Sequence, residues 1–398
     1  MSKMRNNEVV EKKDIDLSQY KVEKVPEYIS EVDIKKLPEV EKSILLHAGV
    51  DLENDKADTF LMKNQTVVHK ATRQSGVELL DTNEALAKYP ELKKLHWKLI
   101  DPNTDKYTKF VYDNLESGYF IRIKKGTKAI FPIQSCLFLE TPSVVQNVHN
   151  LIILEENSSV EILTGCTSKE LGKDGGAHLG ITEIYIGKNA SLTYSMVHNW
   201  HESVRVRSRT AIYVEENGTF ISNYVLLKKV KDIQMDPIAY LKGRAARARF
   251  NSILLSYPGS FIDVGSRVVL DAPDTSSEII SRVVNKGGKV IARGLISGNV
   301  SGVKGHLECQ GLILEDGGEI YTIPQLNGLS PDIMLSHEAA VGKIAREEVE
   351  YLMARGINET DAVGLIIRGF LYEGLENFPN VLKQEIDRIS DELGAKGY

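Results

Sequence analysis

The sequence contains few cysteines and no long hydrophobic run. Only Cys136, Cys166 and Cys309 occur among 398 residues, and no two of them form a CxxC pair. We therefore expect neither a framework of structural disulfides nor a four-thiolate metal site within one chain. No apolar segment approaches the roughly 20 residues that a membrane-spanning helix needs. The charged first twenty residues also lack the apolar core of a secretion signal, which predicts a protein of the reducing cytosol without a membrane association.

Several nucleotide, metal and nucleic-acid signatures are missing as well. The Gly-Lys pairs at residues 172, 187 and 342 lack the upstream glycine and the following Ser or Thr of a phosphate-binding loop, so nucleotide hydrolysis is expected from another chain. No HExxH motif and no paired Cys or His spacing for zinc occurs. With 26% charged residues and a net charge of −6, the composition is that of a globular protein and disfavours a nucleic-acid partner.

A repeat of about 30 residues is the strongest pattern in the chain. Turns rich in Gly, Asn and Ser precede short β-branched runs, and the first apolar residues after them are separated by 32, 28, 41, 29 and 30 residues; they are Val160, Leu192, Phe220, Phe261, Val290 and Ile320. Ala129 lies one further step of 31 residues upstream. Such a period predicts a solenoid, best a parallel β-helix, with a β-sandwich as the alternative. The step of 41 residues predicts an insertion at about 228–243 that protrudes as a loop.

Three domains are predicted from the change in texture along the chain. Residues 1–105 are expected to form a helical and irregular domain, residues 106–337 the β-helix core, and residues 338–398 a helical domain. In the last, apolar residues recur at helical spacing, Gly356 is a C-terminal stop and Asn358 a cap. Three such short helices cannot bury all their apolar stripes among themselves, so one face is expected to pack on the solenoid or on a partner.

The period places Cys309 near His337. The two are 28 residues apart, so they would lie on adjacent coils about 5 Å apart along the axis. A thiolate and an imidazole at this separation can share a metal ion or cluster, and Glu338 would add an oxygen ligand. The alternative is a buried cysteine beside a histidine that caps the last coil.

The other two cysteines are predicted to differ in exposure. Cys166 precedes a loop with Gly and Lys, which predicts an accessible thiol with nearby cations, suited to accept sulfur, although an inconsequential surface cysteine is the common case. Cys136 is flanked by apolar residues and is predicted to lie in the core.

Arg205, Arg207 and Arg209 alternate along one strand, so they share one face. With the lysines and arginines at 228–231 and 244–249 they form a local basic tract. A nucleic-acid groove, a solvated face and a solenoid lumen lined with cations are the three interpretations.

The chain resembles the SufB/SufD family of iron–sulfur cluster assembly proteins. The resemblance runs from about residue 105 to 398 and is most specific in ECQGLILEDGGEIYTIPQL, which begins at Glu308, and in SHEAAVGKIAREEVEYLMARGINETDAVGLIIRGF, which begins at Ser336. EILTGCTSKE and TYSMVHNW are similar to the family's central segment. Residues 1–104 match weakly.

The resemblance implies a right-handed parallel β-helix, a C-terminal helical domain that docks the ABC-type ATPase SufC, and dimerisation through the β-helix with a second copy or a SufD-like chain. By position, Cys166 resembles the sulfur-accepting cysteine of SufB, and Cys309 the cysteine where the nascent cluster forms. His337 and Glu338 match the His-Glu pair that accompanies it. Ser336 stands where SufB commonly has an acidic residue, so ligation there is not available.

These observations predict a cytosolic scaffold for a transient iron–sulfur cluster, served by a sulfur donor and by recipient proteins. Sulfur accepted at Cys166 would travel about 20 Å through the interior to Cys309, which we expect on a different face of the coil, past the three arginines if these point inward. Two alternatives are a SufD-like structural partner without its own cluster and a carbohydrate-active β-helix enzyme. The sequence does not show whether a reduced flavin takes part.

Overall fold

The structure is a computed structural model that describes residues 14–24, 32–52, 54–114, 117–372 and 380–395. Strands account for 47% of the chain and form a β-solenoid of about eight turns, with helices at the N-terminal and C-terminal ends. The predicted parallel β-helix is therefore confirmed. No helix in the described part combines the length and the apolar character needed to span a membrane.

The N-terminal part contains helices, as predicted, and also three strands. Its short 3-10 helices are Leu17–Gln19, Ile34–Lys36 and Pro90–Lys94. Its helices and strands are α1 (Glu39–His47), β1 (Asp58–Lys63), β2 (Thr66–Ala71), β3 (Val77–Asp81), α2 (Thr82–Lys88) and α3 (Lys106–Asp113). Because β1 pairs with a strand of the solenoid and β3 with another, this part continues both sheets.

The solenoid strands follow one another from residue 119 to residue 342. In chain order they are β4 (Tyr119–Ile123), β5 (Ile133–Leu139), β6 (Val145–Leu154), β7 (Ser159–Ser168), β8 (Gly176–Ile186), β9 (Ser191–Asn199), β10 (Val204–Val214), β11 (Thr219–Leu226), β12 (Asp232–Met235), β13 (Ile238–Leu241), β14 (Arg247–Ser256), β15 (Phe261–Leu270), β16 (Ser276–Asn285), β17 (Lys289–Gly298), β18 (Val303–Ile313), β19 (Glu319–Gly328) and β20 (Ile333–Gly342).

Successive strands alternate between two sheets. The first sheet has the order β2-β1-β5-β7-β9-β11-β14-β16-β18-β20, and the second the order β19-β17-β15-β12-β10-β8-β6-β4-β3, with β13 beside β10 and β15. Apart from the antiparallel pairs β1/β2 and β3/β4, the neighbours run parallel. Each turn of the chain therefore adds one strand to each sheet, and the two sheets enclose a core of buried apolar side chains.

The repeat arises from a column of left-handed turn residues that precede the strands of the first sheet. At seven consecutive turns a residue with φ between +54° and +78° stands at the same position: Asn157, Asn189, Asn217, Ala245, Asp274, Gly302 and Asp332. The side-chain amides of the first three are hydrogen-bonded in a ladder, with Nδ2 to Oδ1 distances of 3.0 Å. Asparagine is the residue that adopts this conformation most readily after glycine, which explains the Asn-rich signal in the sequence.

The predicted protruding loop at about 228–243 is wrong. These residues form β12 and β13, which pair with β10 and β15 as an ordinary turn of the solenoid. The apparent 41-residue step arose because Phe220 begins a strand of the first sheet, whereas Phe261 begins one of the second. The six turns of the sequence repeat thus form two columns, three before strands of the first sheet and three before strands of the second. Pro237, which has no N–H to donate, separates β12 from β13.

Three C-terminal helices pack on the outer face of the first sheet. They are α4 (Arg346–Met353), α5 (Glu359–Tyr372) and α6 (Asn380–Ala395). Their buried apolar side chains form one cluster with outward side chains of the sheet, including Leu163, Val197, Val225 and Ile253. The apolar stripes are therefore largely covered by the solenoid itself.

Candidate functional site

Cys136 lies in the core, as predicted. It stands on β5, on the outer face of the first sheet, and packs with Leu45 and Val50 from the N-terminal part. In the pairing of β5 with β7 it lies opposite Gly165, while Leu137 lies opposite Cys166. Because successive side chains of a strand alternate in direction, Cys136 faces away from Cys166.

Cys166 is buried, so the prediction of an accessible thiol is wrong. It belongs to β7, which runs on to Ser168 before the Gly- and Lys-containing loop begins. Its side chain is 1% exposed and points into the space between the two sheets. Burial raises the pKa of the Cys166 thiol well above its ordinary value, and no cation in the described part of the chain offsets this effect.

Polar aromatic side chains surround Cys166 inside the solenoid. His198 on β9 lies directly opposite it, on the same inner face. The Nδ1 atom of His198 is 3.0 Å from the hydroxyl of Tyr224, and the hydroxyls of Tyr119 and Tyr194 are 2.8 Å apart. The sequence analysis missed these residues, whose only signal is that they occupy the inward positions of strands that are otherwise apolar there.

Trp200 lies between these side chains and the surface, and it closes the compartment that surrounds Cys166. Its ring centroid lies 5.0 Å from that of His178 and 5.9 Å from that of His198. On its other side Trp200 lines a surface cavity of about 910 Å³, together with Ser168 and Lys228. Burial lowers the pKa of His178 to about 3 and that of His198 well below its usual value, so both imidazoles are neutral at pH 7.

Cys309 also faces the interior, near the far end of the solenoid. It belongs to β18, is 4% exposed, and lies opposite Ser281 on β16. Burial raises the pKa of the Cys309 thiol to about 11, against the lowering effects of a hydrogen bond with Ser281 and of the nearby guanidinium of Arg282.

His337 and Glu338 lie in β20, the last strand of the first sheet. The residue opposite Cys309 is Ala339, and the residue opposite His337 is Leu307. This turn of the solenoid is 30 residues long, whereas Cys309 and His337 are 28 residues apart. His337 therefore lies two residues before the position opposite Cys309, as its diagonal neighbour on the same inner side. Glu338 alternates to the outer side, opposite Glu308.

The described residues do not form a complete metal site. Among the described residues, no three His, Cys, Asp or Glu side chains stand close enough together to hold a metal ion. Cys309 and His337 supply two donors of suitable chemistry on one side of the last two strands. The hydroxyl of Ser336, on the outer side, is 2.9 Å from Nδ1 of His306.

The three alternating arginines share a face, as predicted, but that face points outward. The inward positions of β10 include its valines and Ile212, which alternate with the arginines. Arg207 forms a buried ion pair with Asp232 at 2.8 Å, and Arg209 pairs with Asp105 at 2.7 Å. A cationic lumen is therefore excluded for these residues, and the pairing of Arg207 and Arg209 with carboxylates also disfavours a nucleic-acid groove.

A line of hydroxyls joins the surroundings of Cys166 to Cys309. Tyr224, Ser252 and Ser281 lie opposite one another on β11, β14 and β16, and Cys309 follows on β18. The hydroxyl of Ser252 is 3.1 Å from that of Ser281. We call Tyr224, Ser252 and Ser281 the hydroxyl track.

The two inner thiols stand on one face of one sheet, so the expectation of different faces is wrong. Five strand steps separate β7 from β18, or about 24 Å at the usual strand spacing. Between them, four inward side chains keep part of their surface accessible although they lie in the middle of the solenoid, which indicates an internal space beside the track; they are Met196, Thr210, Ser222 and Ser252.

Comparison with known proteins gives a consistent result. Residues 137–370 match the family described as "SUF system FeS cluster assembly, SufBD core domain". An iron-sulfur cluster assembly SufBD family protein of Methanothermobacter thermautotrophicus strain Delta H is 41% identical over 99% of this chain and 97% of its own length. A protein of the same description from Archaeoglobus fulgidus is 42% identical over 88% of this chain and 94% of its own. The iron-sulfur cluster assembly protein SufB of Bacillus subtilis is 30% identical over 92% of this chain and 78% of its own length.

Proposed function

The chain belongs to the SufBD family of iron–sulfur cluster assembly proteins, and from this premise we propose that it is a scaffold on which a labile cluster is built. Cys166 accepts sulfur from a donor protein, and Cys309 holds the nascent cluster. The cluster is the cargo of the protein and passes on to recipient proteins.

The observation that carries this proposal is the position of the two thiols. Both point into the same interior, and the hydroxyl track with its adjoining space leads from the neighbourhood of one to the other. The serine hydroxyls of this track can rotate and donate hydrogen bonds to a sulfur anion, which an apolar core could not do. This replaces the route past the arginines that the sequence suggested.

An incomplete ligand set suits a scaffold, because a full set would hold the cluster too firmly to release it. Cys309 and His337 are the first ligands in this proposal, while Glu338 faces the other side of β20. A second chain would complete the site by docking at this end. Supporting this, β20 is an edge strand of ten residues, and the large apolar side chains of Met334 and Val341 on it and of Leu329 shortly before it are exposed.

The scaffold would work with a separate ABC-type ATPase that docks on the C-terminal helices. Although the solenoid covers most of their apolar surface, Tyr351 and Met353 near the end of α4 and Leu365 on α5 remain 57%, 38% and 46% exposed. Exposed apolar side chains on adjacent helices are typical of an interface.

Anaerobic reconstitution with ferrous iron and sulfide, followed by absorbance, tests the cluster site. Cys309→Ser should abolish the cluster absorbance and His337→Ala should weaken it strongly, whereas Cys136→Ser is the matched control and should retain most of it. A parent protein that gains no absorbance would favour the SufD-like structural role, and a larger loss in Cys136→Ser than in Cys309→Ser would contradict the choice of thiol.

The role of Cys166 is tested by changing the source of sulfur. Cys166→Ser should block cluster formation from a persulfide donor protein and spare formation from free sulfide. Equal activity of the variant and the parent with the persulfide donor would end the proposed relay.

The ATPase surface calls for point substitutions, because deletion of the helices would expose the apolar outer face of the first sheet. Tyr351→Ala with Leu365→Ala should abolish co-purification of the ATPase. Ile130→Ala, at an apolar residue exposed elsewhere, should leave it unchanged. Unchanged co-purification with the double variant would move the interface away from these helices.

A further inference from the structure

Two buried side-chain nitrogen atoms in the compartment of Cys166 have no hydrogen-bond partner among the described residues. They are the Nε2 atom of His198 and the Nε1 atom of Trp200, whose side chains are 1% and 2% exposed. Leaving a buried donor without a partner is unfavourable, so such groups need an explanation. Trp200 can only donate, because the indole nitrogen carries a hydrogen and no free lone pair.

The hydrogen bond with Tyr224 decides the protonation of His198. In the described part of the chain, the Tyr224 hydroxyl has Nδ1 of His198 as its one hydrogen-bond partner. If that hydroxyl donates to Nδ1, its own proton is used and the imidazole proton resides on Nε2. The opposite arrangement would leave the hydroxyl proton unpaired in addition to a bare Nε2 atom. The first arrangement is therefore favoured, and Nε2 is a donor.

From these two donors we propose that the interior beside Cys166 is a binding pocket for a sulfur anion, in which His198 Nε2–H and Trp200 Nε1–H stabilise a persulfide carried by Cys166. This inference rests on the proposed function, since it gives a structural basis for sulfur acceptance at Cys166. The titratable side chains that face the thiol are phenols and a neutral imidazole, namely Tyr119, Tyr194, Tyr224 and His198, and the neutral His178 lies beside Trp200. With no cation among them, hydrogen-bond donors must supply the stabilisation of an anion.

The chemical step balances without an oxidant or reductant. The Cys166 sulfur attacks the terminal sulfur of the donor's persulfide, and the donor S–S bond breaks as the new S–S bond forms. The proton that Cys166 gives up leaves on the donor, which departs as a thiol. The product on Cys166 is a persulfide, which loses the proton of its terminal sulfur to water, and the resulting negative charge is shared with the two N–H groups.

Loading with inorganic polysulfide and titration of the product test the pocket without any assembly reaction. The full-length protein is treated with polysulfide, the modified cysteine is identified by peptide mass spectrometry, and the near-ultraviolet absorbance of the persulfide anion is followed against pH. His198→Leu and Trp200→Phe should each raise the apparent pKa of the Cys166 persulfide by about one unit, the effect of losing one charge-assisted hydrogen bond.

His198→Gln keeps an N–H donor and should restore most of the parent behaviour. Trp97→Phe makes the matched change at the other tryptophan, which packs on His149 outside the solenoid, and should have no effect. Circular dichroism establishes that each variant is folded, and Trp200→Phe, which keeps an aromatic ring, remains informative if His198→Leu is not.

Two results would overturn the pocket: a parent that takes up no sulfur on Cys166, or folded variants that titrate as the parent does. The proposed function can fail separately. If polysulfide loads Cys166 with the expected shifts but a persulfide donor protein does not load it, the sulfur-anion pocket stands and the role in sulfur acceptance from a protein is wrong.

Discussion

Arg282 and Glu308 form an ion pair on the outer face of the strand that carries Cys309. The Nη2 atom of Arg282 lies 2.7 Å from Oε1 of Glu308, and the arginine is 2% exposed. Its guanidinium also stands 5.7 Å from the ring centroid of Phe370 on α5. This contact connects the helices proposed to dock the ATPase to β18, one residue from the proposed cluster ligand.

Replacing Glu308 by Gln should destabilise the protein by about 3 kcal/mol, because a buried guanidinium loses the carboxylate that offsets its charge. Thermal and urea unfolding measure the change. Glu392→Gln is the control, since Glu392 pairs with Arg388 on the surface of α6 with side chains 54% and 42% exposed, and it should cost about 0.5 kcal/mol or less. Equal effects of the two variants would show that burial of the Arg282 pair contributes nothing.

The buried carboxylate of Glu183 acts as a clamp that holds the N-terminal part on the second sheet. Glu183 on β8 is fully buried and accepts hydrogen bonds from the backbone N–H groups of Trp97, Leu99 and Ile100 at 2.6, 2.5 and 3.2 Å. Its other contact is Nε2 of His149 at 2.9 Å. The carboxylate thus replaces the strand partner that residues 97–100 lack.

Glu183→Gln should cost about 2 kcal/mol, because the amide NH2 group cannot accept the bonds that a carboxylate oxygen accepts. Limited proteolysis should then cut near residues 95–100 faster than in the parent. Glu216→Gln, at an exposed ion pair with Lys188, is the matched control and should leave the cleavage rate unchanged. Protection of the segment in Glu183→Gln would contradict the clamp.

Three buried histidines and the half-buried His96 make stability depend on pH. Burial lowers the pKa of His96 and of His178 to about 3 and lowers the pKa of His149 and His198 below the ordinary value. Below about pH 6.5 the unfolded chain binds protons that the folded chain does not, so stability should fall as the pH falls, by about 1.4 kcal/mol per histidine for each unit.

Urea unfolding between pH 6.5 and 5 measures this slope before the paired carboxylates titrate. The pKa values of Glu41, Glu78 and Asp105 are lowered, so these groups remain ionised in the folded state and contribute losses only below about pH 4.5. His178→Gln should remove about one proton from the slope. Constant stability across this range would mean that the buried histidines accept protons in the folded state.

The sequence predicted the period of the solenoid and the three C-terminal helices because both depend on local features. Turn residues such as Asn157 and Asn189 adopt left-handed conformations wherever they stand, and Leu382 and Ile386 show helical spacing by themselves. The orientation of each strand could not be predicted in this way. Parallel strands buried on both faces are apolar on both, so alternation does not distinguish the inside from the outside.

This ambiguity explains the errors at the candidate site. The alternation of Arg205, Arg207 and Arg209 correctly predicted a shared face, but only the packing of Tyr107 and Asp232 against that face shows that it is the outer one. For Cys166, the strand continues two residues beyond the cysteine before the loop begins. The thiol is buried because the strand ends after the cysteine, and it would be exposed if the strand ended before it.

The column of left-handed turns offers a stabilising substitution at Ala245. Its φ of +56° is unfavourable for alanine, whereas asparagine adopts this conformation readily. In addition, an asparagine there would stand next to Asn217 in the column, where it could extend the amide ladder that already joins Asn157, Asn189 and Asn217. Ala245→Asn should therefore stabilise the protein by about 1 kcal/mol, measured as a rise in the thermal unfolding midpoint.

Asn217→Ala makes the reverse change at the adjacent turn and should lower the midpoint by a similar amount. A lower midpoint for Ala245→Asn would show that backbone strain at this turn is not relieved by asparagine.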